Sequence, residues 1–227
     1  MSILSVIMAT LNAEKYLQQT LNSLALQSFK DFEIIVVDGG STDLTVSIAQ
    51  SFPNLRILVQ KTKGLTGAWN EGILASQSPL IAFLDSDDYW VTNCLELHIE
   101  QFQRNENLLG SIGKVEFFLD DSTLPVPKHF KPSLLNGNHV GYMPGCFLGR
   151  RSLFNTLGLF DESLAITSDI AWFALLKQSI KDIAVVDQTV LYKRVHSNNL
   201  SYKAAESSAY QTELLHLLNR SINARNA

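Results

Sequence analysis

Along the first hundred positions, apolar residues fall into two alternating kinds of run. Short unbroken ones, at residues 3–9, 32–37, 56–59 and 80–84, read as buried strands. Between them lie amphipathic stretches. Leu17, Leu21 and Leu24 share one helical face behind Asn12, which can cap that helix, and Ser41 opens a second helix running to about residue 51. Residues 67–76 look helical, and Thr92 opens another helix that reaches about residue 105. Strand and helix therefore alternate, and the pattern predicts a Rossmann-like, mostly parallel sheet covered by helices on both faces.

The rhythm changes after Leu109. Residues 113–119 read as a strand, 151–157 and 170–178 as helices, and 183–186 and 190–194 as two further strands. Between them, 120–143 carries Pro125, Pro127 and Pro132 with Asn and Gly pairs near 136–141, the composition of a long binding loop or lid. From residue 204, Tyr210, Leu214, Leu218 and Ile222 make one helical stripe that would dock on the core. The reading is one domain over 1–227, with about 1–105 as one half, 106–203 as a smaller mixed subregion, and 204–227 as a C-terminal helix.

Composition narrows the class. Of 227 residues, 46% are hydrophobic and 18% charged, enough to bury a sizeable core. A net charge of −4 without basic blocks argues against nucleic-acid binding. Two cysteines, Cys94 and Cys146, make no disulfide framework, and no apolar run approaches the ~20 residues needed to span a bilayer. The N-terminal MSILSVIMATLN lacks a basic leader, so a cytoplasmic location is expected. Peripheral membrane contact and a homo-oligomer both stay open.

In an open parallel sheet, ligands bind outside the carboxyl ends of the strands. Three strand ends here are polar: Thr10-Asn12-Glu14, the run from Asp38 through Gly40 and Ser41 to Asp43, and Asp85-Ser86-Asp87-Asp88. In extended chain Asp85 and Asp87 point to one side, and a divalent cation (Mg²⁺ or Mn²⁺, shared with a phosphate) relieves their repulsion. The alternative is a solvated turn whose Asp88 and Thr92 cap the next helix. Asp38 can accept a hydrogen bond from a uracil N3–H or a ribose hydroxyl, or serve only its own turn. Neither GxxxxGK nor GxGxxG occurs.

Five segments, SVIMATLNAEKYL, FEIIVVDGGSTD, KGLTGAWNEGI, IAFLDSDDYW and YKRVHSNNLS, together with CFLGRRSLFNTLGLFDESLAITSDIAWFALL, resemble family 2 glycosyltransferases of the GT-A fold. The resemblance implies that Thr10, Asn12, Glu14, Asp38, Gly40 and Ser41 grip a nucleotide's base and ribose, and that Asn70 helps hold the sugar-phosphate region. It implies a metal site of Asp85, Asp87 and His196, with Asp85 nearer the sugar, and an imidazole among oxygens leans the ion toward Mn²⁺. It also implies that Asp169 is the general base of an inverting transfer from a nucleotide-sugar donor, of the UDP class, to a glycan, lipid-linked or small-molecule acceptor. Asp169 can equally cap the helix beginning at 170.

Two positions depart from the family pattern: Ser168 stands where Glu is common before the base, and Trp69 where Arg is frequent, suggesting a different pyrophosphate grip. Two other functions remain in view, a non-catalytic nucleotide-sugar-binding module and a metal-dependent nucleotidyltransferase. Lys128, His129 and Lys131 read as a solvated loop, Arg150 and Arg151 as solvent-facing, and His98, His216 and Cys146 as structural.

Overall fold

The computed structural model describes residues 2–121, 126, 130–164, 167–197, 199–200 and 212–213. The first half runs β1 (Leu4–Thr10), α1 (Glu14–Ala25), β2 (Phe32–Asp38), α2 (Thr45–Gln50), β3 (Leu55–Val59), α3 (Gly64–Ala75) and β4 (Leu80–Phe83). A two-residue strand β5 (Tyr89–Trp90) and α4 (Cys94–Arg104) follow. The second half contains β6 (Gly110–Leu119), β7 (Asn138–Val140), β8 (Phe147–Arg150), α5 (Ser152–Thr156), α6 (Ser168–Ser179) and β9 (Ile183–Val195).

Among the described residues these strands form a single sheet in the order β3-β2-β1-β4-β8-β6-β9-β5, with β7 on β6. The block β3-β2-β1-β4 is parallel throughout. β8 then runs antiparallel to both β4 and β6, whereas β6 and β9 are parallel. The parallel half buries both faces because its strands are apolar at consecutive positions. In β1, Leu4, Val6 and Met8 pack with Leu17, Leu21 and Leu24, while Ile7 packs on the opposite core with Trp69, Ile73 and Phe83. α3 lies so close over β1 that a Cβ at Gly72 would collide with the Ile7 side chain, so only glycine fits there. On that same face Phe83, Phe147, Phe154, Phe160 and Trp172 interlock edge-to-face and stacked, seating α6 on the sheet.

Several local expectations change. Neither Asn12 nor Ser41 caps a helix: α1 begins after Ala13 and α2 after Leu44, without a side-chain cap bond from either cap residue. Both polar side chains are spent across the two loops instead. The 120–143 stretch is not loop throughout, because Pro132–Leu135 forms a 3₁₀ turn and β7 pairs with β6. The two strands expected at 183–186 and 190–194 are one, continuous through Ile183–Val195, with an irregularity opposite β6. Arg150 is not simply solvent-facing, since its Nε and Nη2 donate to the carbonyls of Leu108 and Glu106. The stripe expected from residue 204, His216, Lys128 and His129 lie outside the described residues.

Candidate active site at the sheet rim

The first two strand ends are laced together. At the β2 end the Asp38 carboxylate accepts from the backbone N–H of Gly40 and Ser41 (3.0 and 2.9 Å), and from the hydroxyls of Ser41 (2.5 Å) and Thr10 (3.2 Å). Gly40 has φ +90°, the left-handed conformation that lets the chain fold back over that carboxylate. Ser41 Oγ accepts from Asn12 N, and Asn12 Oδ1 accepts from Thr42 N. Glu14 Oε2 accepts from Leu44 N while Glu14 N donates to Asp43. Thr10, Asn12, Glu14, Asp38, Gly40 and Ser41 thus form one cross-linked rim. The Asp38 carboxylate is thus held by four donors, and its longest bond is the one from the Thr10 hydroxyl.

The third strand end carries the acids. β5 pairs antiparallel with β9, with Tyr89 opposite Tyr192. Extending that register sets the 85–88 turn beside 193–196, so the acids of one meet the cations of the other. Lys193 Nζ lies 2.7 Å from Asp88 Oδ2 and 3.1 Å from Asp85 Oδ2. His196 Nε2 lies 3.0 Å from Asp87 Oδ2, and Asn199 Nδ2 donates to the same oxygen at 3.2 Å. Arg194 N donates to Asp88 Oδ1, and Arg194 Nε to the Asp87 carbonyl.

One ligand atom from each of Asp85, Asp87 and Asp88 falls within 4.8 Å of the others. Asp88, 1% exposed, is the innermost, so it is no solvated helix cap. Burial raises its carboxyl to about 7 even against the opposing Lys193 charge. Burial also pushes Asp87 upward, but the His196 hydrogen bond and the Lys193 charge outweigh it, leaving Asp87 below the ordinary value.

Asp169 sits in the first turn of α6 rather than before it, because the helix begins at Ser168. Burial raises its carboxyl, the backbone N–H of Ile170 opposes that, and the Asp85 charge adds to the rise, which places both acids in one electrostatic neighbourhood. Position 168 is a serine and supplies no second acid; its Oγ is buried without a hydrogen-bond partner among the described residues. Asn70 spends its amide on Phe160 N, Phe160 O and Glu162 Oε1, clamping the 160–162 turn to α3 rather than facing the rim freely. Trp69, at 5% exposure, packs on Phe83 and Phe160, a core position that offers no charge to the rim.

Residues the sequence reading passed over are Lys193, Arg194, Asp88 as a site residue, and Asn199. Lys193 and Arg194 lie inside the quoted YKRVHSNNLS segment. Only the β5–β9 pairing, through a two-residue strand without any hydropathy signal, shows where they point.

A parallel block extended by a mixed half, with carboxylates massed at the rim, defines a GT-A fold. The chain belongs to Glycosyl transferase family 2, whose pattern matches residues 5–158. An uncharacterized glycosyltransferase of Nostoc sp. is 35% identical over 108 residues, covering 45% of this chain and 34% of that one. The Escherichia coli UDP-Glc:alpha-D-GlcNAc-diphosphoundecaprenol beta-1,3-glucosyltransferase WfgD is 31% identical over 150 residues, covering 65% of this chain and 57% of that one. The crystal structure of S. aureus TarS in complex with UDP matches with TM-score 0.69 at 26% identity, covering 86% of this chain and 61% of that one. This chain therefore spans between about a third and three-fifths of these relatives' lengths. Among the described residues no helix is long and apolar enough to cross a membrane.

Proposed function

We propose that this chain transfers a single sugar from a nucleotide sugar, of the UDP class, to an acceptor hydroxyl, with inversion and with one divalent cation. The observation that carries this reading is the convergence of Asp85, Asp87 and Asp88 with His196 at the same rim that Asp169 feels electrostatically. Family membership supports it, and so do the UDP donor and diphosphoundecaprenol-linked acceptor in WfgD's name and the UDP bound to TarS. A lipid-linked saccharide is the acceptor class those names favour, and it would bring the protein to a membrane surface from outside the bilayer.

In this reading the lattice of Thr10, Asn12, Glu14, Asp38, Gly40 and Ser41 holds the base and ribose, and Asp85 faces the sugar end. Asn70 acts by fixing the 160–162 turn. The donor set of carboxylate oxygens and one imidazole fits Mn²⁺ or Mg²⁺, with Asp87, Asp85 and His196 as the residues that would hold it. When bound, such an ion supplies Lewis-acid stabilisation of the departing diphosphate. Asp169 takes the proton from the acceptor hydroxyl as its oxygen attacks the anomeric carbon, and its raised carboxyl makes it a better base than an ordinary aspartate.

Calorimetric titration of UDP with and without Mn²⁺, followed by an assay for donor hydrolysis, tests the reading. Metal-dependent binding together with slow UDP release from a UDP-sugar is the expected result. Binding without turnover, across a broad acceptor panel, would instead mark a nucleotide-sugar-binding module.

A further inference from the structure

Three ionised carboxylates within 4.8 Å of one another repel and carry one charge more than a single divalent ion answers. Lys193 answers it. Its ammonium, on a side chain 20% exposed, bridges Asp88 and Asp85, and Asp88 is otherwise held by the Arg194 backbone N–H. Asp88 is thereby occupied from the protein side. Asp87 faces His196 and Asn199, and Asp85 retains its second oxygen. With the carboxylates ionised, three negative charges and one lysine leave two, the charge of one divalent cation.

We propose that Lys193 is a charge-setting residue of the metal site: it withdraws Asp88 from coordination and limits the rim to one divalent ion held by Asp87, Asp85 and His196. The inference rests on the metal-dependent reading above and extends it by assigning Asp88 to the lysine rather than to the ion. It makes a sign prediction that a purely structural role does not. A lysine that only supports the fold would, when removed, loosen the site. A lysine that competes by charge would, when removed, tighten it, because a like charge a few ångströms from a doubly charged ion opposes binding even in a water-like medium.

The test is Mn²⁺ titration of the full chain, with and without UDP, followed by calorimetry and by the electron paramagnetic resonance signal of free Mn²⁺. Wild type, Lys193→Met, Lys193→Arg, Asp88→Asn and Asp87→Asn are compared, with thermal melts confirming that each variant is folded. Lys193→Met is expected to bind Mn²⁺ about tenfold more tightly than wild type, with stoichiometry rising above one. Lys193→Arg should bind like wild type, and Asp88→Asn should keep Mn²⁺ while Asp87→Asn loses it.

Folded Lys193→Met with unchanged or weaker Mn²⁺ affinity overturns the proposal, as does Asp88→Asn losing the ion as fully as Asp87→Asn. If wild type binds no Mn²⁺ with or without UDP but Lys193→Met does, the lysine proposal stands and the metal-dependent reading of the native enzyme fails. If neither binds, both fail.

Discussion

The Arg194 guanidinium lies 4.4 Å from the centre of the Tyr16 ring, joining the end of β9 to the first turn of α1. The same guanidinium sits 4.8 Å from Phe118 and donates to the Asp87 carbonyl, to Asp120 Oδ1 and to Gln19 Oε1. Tyr16 Oη in turn donates to Asp120 at 2.6 Å, and the Tyr16 ring lies 5.0 Å from that of His196. One largely buried side chain therefore ties α1, the acid turn and the end of β9 into a unit.

Arg194→Lys should be destabilising. A single ammonium cannot reach the three separate acceptors that the planar fork serves, but Asp87 and Asp120 are only half-buried and Gln19 is exposed, so water takes over part of what is lost. A loss of about 1–2 kcal/mol is expected by urea unfolding. A loss under about 0.5 kcal/mol would show that the fork contributes little.

Removing the acid that faces His196 should uncouple donor affinity from metal. Asp87→Ala is expected to bind UDP equally weakly with Mn²⁺ or with EDTA, while wild type binds more tightly with Mn²⁺. Calorimetry that finds wild-type, Mn²⁺-enhanced affinity in the variant would remove Asp87 from the metal set. Chelation should also silence transfer by wild type.

Asp169→Asn should leave UDP affinity near that of wild type while transfer falls by on the order of 10²–10⁴. The group acts when deprotonated and its carboxyl is raised by burial, so wild-type kcat/KM should decline on the acid side at a pH above the ordinary aspartate range. That limb should vanish in the variant's residual rate. A rate within a few-fold of wild type would assign the base elsewhere.

His98 offers a stability test far from the rim. Its ring is buried against Ser111 Oγ, and burial lowers its value from 6.5 to about 3. The unfolded chain takes up a proton below 6.5 that the folded chain refuses down to about 3, so folding stability falls as pH drops through that window. The slope is up to about 1.4 kcal/mol per pH unit, or roughly 2 kcal/mol between pH 6.5 and 5. Urea midpoints for wild type should drop accordingly, and His98→Gln should lack that component. Asp120, held by Tyr16, Lys15 and Arg194 near 2 despite burial pushing it upward, loses its contribution only below 3.8, so the two windows overlap only between 3.8 and about 3, and the interval from pH 6.5 to 5 reports His98 without it.

The parallel half was legible in the chain because strands buried on both faces must be continuously apolar. Ile7 and Met8 serve opposite cores from adjacent positions, and hydropathy alone reports that. The acid turn was legible for a related reason: polar residues that follow such a strand immediately have nowhere to go but the rim. Local chemistry also singled out Asp169 at the start of its helix, two positions further in than the cap expected there.

Tertiary structure alone decided who partners whom. Asn12 and Ser41 look like helix caps within their own segments, yet they bond each other's loops, because β1 and β2 end side by side and a cross-loop partner wins over the nearby helix. Trp69 and Asn70 fall in a stretch the sequence already reads as helical, but only the packing of α3 shows that both turn into the aromatic core, where Phe160 uses the amide. Lys193 meets Asp85 and Asp88 across more than a hundred residues, through an antiparallel contact two residues long. Hydrophobic periodicity records which face of an element is buried, whereas charge pairing depends on the register between elements, and no single segment carries that information.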